Sequence, residues 1–167
     1  MVNKFIAAAE AVSAVVTRCQ TTEQATVCLA QLAQGDAVAV THFPDQLQEL
    51  IAPLPRVAPE ALATTRLTIS HAAAGIAATG SLLLDLPDPI ERSATALATV
   101  HAVVLDAEHI VPDLNALAPR LQELLGSGQS YLSLTTGPSR TADIERVLTI
   151  GVHGAKELHI ILLEGRL

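Results

Sequence analysis

The sequence has no tryptophan, and its aromatic content is only 2% of 167 residues. Without aromatic faces there is no platform for unpaired bases to stack on, which argues against single-strand nucleic-acid binding. A basic run is also missing. Ten Lys and Arg against 17 Asp and Glu give a formal charge of −7, so nothing draws the chain to a phosphate backbone. Cysteine is scarce. Cys19 and Cys28 stand nine residues apart without a CxxC, too few to ligate an iron–sulfur cluster or to build a four-cysteine zinc site. Two ordinary thiols of a cytoplasmic protein are the simplest reading. The six histidines show no HxH or HxxxH spacing, so no metal site is expected. No uncharged apolar stretch approaches the ~20 residues of a membrane span. The opening MVNKFIAAAEAVSAVV has the Lys, apolar run and small residues of a secretory leader. Glu10 interrupts it, however, and Phe5, Ala8, Val12 and Val15 share one helical face, so it reads as an amphipathic helix.

What is abundant is small and branched aliphatic residues. The chain is 50% hydrophobic and 16% charged, the composition of one packed domain spanning residues 1–167. Periodicity and punctuation predict helices over 3–14, 21–35 (capped by Thr21 or Thr22), 44–51, 112–125 and 140–150. Strands are predicted at 15–19, 37–41, 66–70, 81–86, 101–106, 131–136 and 157–165. HAAAGIAATG at 71–80 reads as helix or tight packing, and the segment after SLLLDL as a loop carrying Pro87 and Pro89. Strands alternate with helices, and several are continuous Val/Ile/Leu runs. Both signs point to an α/β fold with a mostly parallel sheet covered on both faces. Some antiparallel content is expected, with SLLLDL and HAVVLD as a candidate local pair.

One stretch carries more chemistry than the rest: TGPSRTADIERVLTIGVHG, residues 136–154. Gly137 and Pro138 force the chain away from the preceding strand. Ser139 then stands where a helix cap belongs, with Asp143 and Glu145 early in the predicted helix. Free amides at such a helix start form an anion site. Ser139 and Thr141 would add hydroxyls, and Arg140 a guanidinium fork suited to a carboxylate or phosphate. The alternative is a capped helix whose Arg140 pairs with a nearby acid. His153, between Gly151 and Gly154, is a candidate base or a loop-bonding histidine. A second turn, Thr79-Gly80-Ser81, enters a buried strand; it reads first as a plain turn, and alternatively as one in which Gly80 serves a positive φ or a close approach of another backbone or ligand. No nucleotide-binding motif is matched.

TGPSRTADIERVLTIGVHGAKELHIILLEG resembles the C-terminal signature of the LutC/YkgG family of LUD-domain proteins. GIAATGSLLL at 75–84 and VHAVVLDAEHIVPDL at 100–114 resemble two further family blocks in the right order. The resemblance is strongest over 71–165. It implies a three-layer Rossmann-like sheet of the NagB/RpiA/CoA-transferase-like type. It also implies a part in L-lactate oxidation to pyruvate, alongside iron–sulfur partners of the LutA-like and LutB-like kind. This chain lacks the cysteines for such clusters, so the redox centres would belong to the partners. On this reading Gly137, Pro138, Ser139, Arg140 and Thr141, with Thr79, Gly80 and Ser81 nearby, hold a small carboxylate or phosphate. Asp143, Glu145 and His153 are the candidate catalytic groups. The alternatives are an independent enzyme acting on a sugar phosphate or acyl-CoA, and a scaffold or regulatory subunit. Two departures from the family stand out. Ala78 occupies a position where an acidic residue is frequent, and the N-terminal region is short, as in a trimmed or naturally brief chain.

Overall fold

A computed structural model describes residues 1–126, 131–142, 148–150 and 154–165. Its centre is an 8-stranded sheet. Along the main path the order is β1 (Val15–Cys19), β10 (Glu157–Leu163), β5 (Val100–Asp106), β3 (Leu67–Ile76), β4 (Ser81–Asp85) and β7 (Leu132–Thr135). The short strands β2 (Ala39–Val40) and β6 (Ile110–Val111) also pair with β3. β1, β10, β5 and β3 are parallel, as are β2 and β6 to β3. The β3–β4 and β4–β7 pairings are antiparallel, so β7 runs in the same direction as β3.

The parallel strands read as apolar runs because both faces are covered. On one face Leu67, Ile69, Val104 and Ile161 pack with α2 (Thr22–Ala33) and α3 (Gln48–Ile51). On the other, Val103, Leu105, Ile160 and Leu162 pack with Phe5 and Ala9 of α1 (Val2–Ala11). Helix, sheet and helix make three layers of an α/β fold. Thr21 caps α2, its hydroxyl accepting from the Gln24 amide at 3.3 Å. Gln34 and Gly35 close that helix in left-handed conformations.

Four expectations change. Residues 71–76 are not helical but extend β3 into a ten-residue strand. The segment after β4 is no mere loop. It holds α4 (Pro89–Leu97), with Asp88 accepting from the Ile90 amide at 2.7 Å and Pro89 in the first turn. β4 pairs with β3 and β7, not with β5. The helix predicted over 140–150 is replaced at its described residues by β8 (Arg140–Ala142) and β9 (Leu148–Ile150), paired antiparallel. Thr141, Thr149 and Ile150 are β-branched and suit a ladder better than a helix. The Ser139 amide is also already committed, donating to the Ala155 carbonyl at 2.9 Å. α5 (Leu114–Gly126) is the last helix among the described residues and seats Leu117 against Ala73, Ile76 and Leu83.

Candidate functional site

After Thr135 the chain leaves the edge strand β7 through Thr136, Gly137, Pro138 and Ser139. It returns at Gly154 and Ala155 into β10. Under this crossing lies a cavity of about 380 Å³. Its apolar floor includes Leu84, Leu86 and Leu158. Its polar lining is five hydroxyl side chains, Thr95, Ser133, Thr135, Thr136 and Ser139, together with His101. None of its lining side chains among the described residues is an acid, a lysine or an arginine.

His101 is the second residue of β5. Strand alternation puts it on the same face as Val103 and Leu105, beneath α1. It is almost fully buried, with its Nε2 2.8 Å from Ser70 Oγ on the neighbouring strand β3. Burial pushes its pKa down to about 4, so the imidazole is neutral at pH 7. A neutral ring keeps one N–H donor and one acceptor nitrogen. Ser70 engages Nε2, and Nδ1 has no partner among the described residues. His101 is therefore a group able to accept or donate a proton at the cavity wall. The sequence signal for it was slight: one titratable residue at the head of a run otherwise wholly apolar.

The second predicted turn meets the first from behind. Ser81 Oγ lies 2.7 Å from Thr79 Oγ1 and 2.7 Å from Thr136 Oγ1, making a chain of three hydroxyls that ends at the loop. Ser81 is buried and Thr79 exposed. Neither lines the cavity, so they brace the loop and do not face its interior. Gly80 has a φ of +68°, and a Cβ built on it would stand 2.3 Å from the Ala9 nitrogen. Gly137 has a φ of +70°, and its Cβ would stand 2.4 Å from the Val12 carbonyl oxygen. Both glycines admit the backbone of α1 and its C-terminal turn. Gly80 thus serves close packing, while Gly137 also borders the cavity.

Gly137, Pro138 and Ser139 line one cavity. Arg140 and Thr141 continue directly into β8. Asp143, Glu145 and His153 lie outside the described residues. The anion site anticipated at a helix start loses the helix and its dipole. What stays are the loop itself, the hydroxyls and a neutral imidazole. No cluster of three or more metal-ligating side chains exists among the described residues. Cys19 and Cys28 are free thiols, their sulfurs 3.9 Å apart. Among the described residues no helix is long and apolar enough to cross a membrane.

With this geometry in hand, comparison with known proteins is decisive on family. Residues 56–163 match the LUD domain. The chain belongs to the LUD-domain family. Lactate utilization protein C of Bacillus subtilis is 31% identical over 94 residues, covering 54% of this chain and 39% of that protein. The Escherichia coli protein YkgG is 28% identical over 99 residues, covering 58% of this chain and 43% of that one. The chain thus spans about two fifths of the length of these curated relatives. A DUF162 family protein from Deinococcus radiodurans superposes with a TM-score of 0.65 over 97% of this chain and 95% of that one. At 19% identity that likeness speaks for the α/β fold alone.

Proposed function

We propose that this LUD-domain chain is a LutC/YkgG-like component of an L-lactate utilisation system. In this reading it contributes a small-anion pocket at the 137–141 loop, while iron–sulfur partners of the LutA-like and LutB-like kind carry the electrons of lactate oxidation in the cytoplasm. The observation that carries the reading is the cavity beneath Thr136–Ser139, with its five hydroxyls and neutral His101. Hydroxyl donors without a competing carboxylate suit a carboxylate or phosphate group, and Arg140 follows directly from Ser139 in the chain. The family match across 56–163 supports the assignment to lactate metabolism, as do relatives named lactate utilization protein C.

A catalytic version of the same reading rests on His101. A neutral imidazole held by Ser70 at the wall of a substrate-sized cavity is placed to move a proton.

The deciding experiment is a thermal-shift series with lactate, pyruvate, phosphate, sugar phosphates and CoA, repeated with Arg140→Ala and His101→Gln. A ligand that binds only the folded state raises the Tm in proportion to the logarithm of its excess over Kd. The pocket predicts a shift that Arg140→Ala reduces by about tenfold in affinity, in the range of a charged hydrogen bond. Identical shifts in wild type and Arg140→Ala would remove Arg140 from the site. No shift with any of these compounds would leave the chain as a scaffold or regulatory subunit.

A further inference from the structure

Cys19 and Cys28 lie apart from the cavity under the 137–139 loop. They meet because one strand ends where the next helix begins. Cys19 is the last residue of β1, held in register opposite Leu163 of β10. The chain then turns at Thr21 into α2, which carries Cys28 back to the strand end. The two sulfurs stand 3.9 Å apart, in a thiol–thiol hydrogen bond that either can donate.

The two thiols are unequally placed. Cys19 is 1% exposed and belongs to the core cluster that packs with α2. Cys28 is half-buried. A surface groove of about 470 Å³ opens beside it, walled by Arg18, Val27 and Gln31 among others, with both cysteines in its lining. Burial, and then Cys28 beside it, raises the Cys19 thiol to about 12, so Cys19 keeps its proton at neutral pH. An oxidant arriving from solvent meets Cys28 first, with a protonated second thiol directly behind it. That is the arrangement of a reactive and a resolving cysteine.

We propose that Cys28 and Cys19 form a reversible oxidation site for hydroperoxides, closing to a disulfide within the chain. The Cys28 thiolate attacks the terminal oxygen of the hydroperoxide. An S–O bond forms and the O–O bond breaks. The departing alkoxide takes up the proton that Cys28 lost and leaves as an alcohol (as water where the oxidant is hydrogen peroxide). Cys28 is then a sulfenic acid. The Cys19 sulfur attacks the Cys28 sulfur, the S–O bond breaks, and hydroxide leaves as water with the Cys19 proton. The two thiols together give up two electrons and two protons, and the peroxide receives both. Bonded sulfurs stand ~2.0 Å apart, so the pair closes by roughly 2 Å. The bond fastens α2 to β1, the outermost strand at that end of the sheet. Disulfides of this transient, redox-sensing kind are the ones a reducing compartment allows.

Graded hydrogen peroxide on the reduced full chain tests this, followed by alkylation in denaturant, intact mass and peptide mapping. Both thiols should be lost together, with the mass of two hydrogens, and a Cys19–Cys28 cross-linked peptide should appear within one chain. Dithiothreitol should restore both thiols. Cys28→Ser should leave Cys19 reduced. Cys19→Ala removes the resolving thiol, so the Cys28 sulfenic acid should accumulate and take up dimedone, which wild type should not. The wild-type masses decide the matter even where Cys19→Ala fails to fold. Oxidation of Cys28 to sulfinic acid while Cys19 stays a thiol overturns the proposal. So does a disulfide that joins two copies through Cys28, and so do two intact thiols after millimolar peroxide.

Discussion

Ser81 Oγ and Thr136 Oγ1 stand 2.7 Å apart, joining two turns separated by 55 residues of sequence. Ser81 is 5% exposed, so its hydroxyl depends on this contact and on Thr79. Ser81→Ala should lower stability by about 1 kcal/mol, the usual net worth of such a bond. It should also speed amide exchange at Gly137 and Ser139. Urea unfolding and hydrogen exchange on the same variant check both. A stability loss without faster exchange at the loop would mean that Ser81 does not brace it.

The two glycines that receive α1 should tolerate no side chain. Gly80→Ala and Gly137→Ala each impose a left-handed conformation on alanine and drive a Cβ into backbone at 2.3 and 2.4 Å. Each should cost more than the ~1 kcal/mol of the backbone conformation alone. Gly35→Ala is the control, because its φ is +85° yet nothing lies within 4 Å of the added carbon. Denaturant midpoints of the three variants should separate Gly80 and Gly137 from Gly35.

Acid should weaken the fold through its buried histidines. Burial lowers His101 to about 4, and His71 falls to about 4 chiefly for the same reason, helped by nearby His109. The folded pKa lies below the unfolded value of 6.5 in both cases. Above pH 6.5 both states hold neutral rings and the fold is unpenalised. Below it the unfolded chain takes up protons that the folded chain refuses. Stability should therefore fall between pH 6.5 and 4, by up to about 1.4 kcal/mol per pH unit for His101. His101→Gln should flatten that slope in urea titrations at stepped pH.

The thiols should differ in reactivity. Cys19 is 1% exposed, and burial, with Cys28 beside it, pushes its pKa up to about 12. Cys28 is half-buried on α2. A thiol-alkylating reagent should modify Cys28 in the native protein and Cys19 only after denaturation. Rapid alkylation of Cys19 in the folded protein, located by peptide mass, would contradict its burial.

Much of the architecture was legible because single segments carried their own signal. VVTRC, SLLLDL, HAVVLD and ELHIILL carry a strand signal in their own residues and are strands in the fold, and Thr21 marks the start of α2. The failures have tertiary causes. Alanine favours helix locally, yet Ala72, Ala73 and Ala74 lie in β3, which pairs with β5 up to Ala72 and with β4 from Ala72 onward, and Leu105 and Leu117 pack in the same clusters as these small residues. Pro87 and Pro89 suggested a loop, although Pro89 after Asp88 is a sound helix start. At the site, Gly137, Pro138 and Ser139 were visible as a sharp turn after a strand. His101 was not, since its meaning comes from the loop that crosses above it.

Both glycines that hold the first helix press against main-chain atoms: the nitrogen of Ala9 and the carbonyl oxygen of Val12. Every amino-acid sequence supplies those atoms. At these two notches the grip is on backbone first, while the buried side chains of Phe5 and Ala9 supply the apolar packing of the same helix. Residues 1–55 lie outside the family match, which begins at residue 56. A domain fastened this way can exchange the exposed letters of its opening helix, such as Lys4, Ala7 and Glu10, and keep the helix in its seat, so long as Phe5 and Ala9 stay buried and the glycine notches remain open.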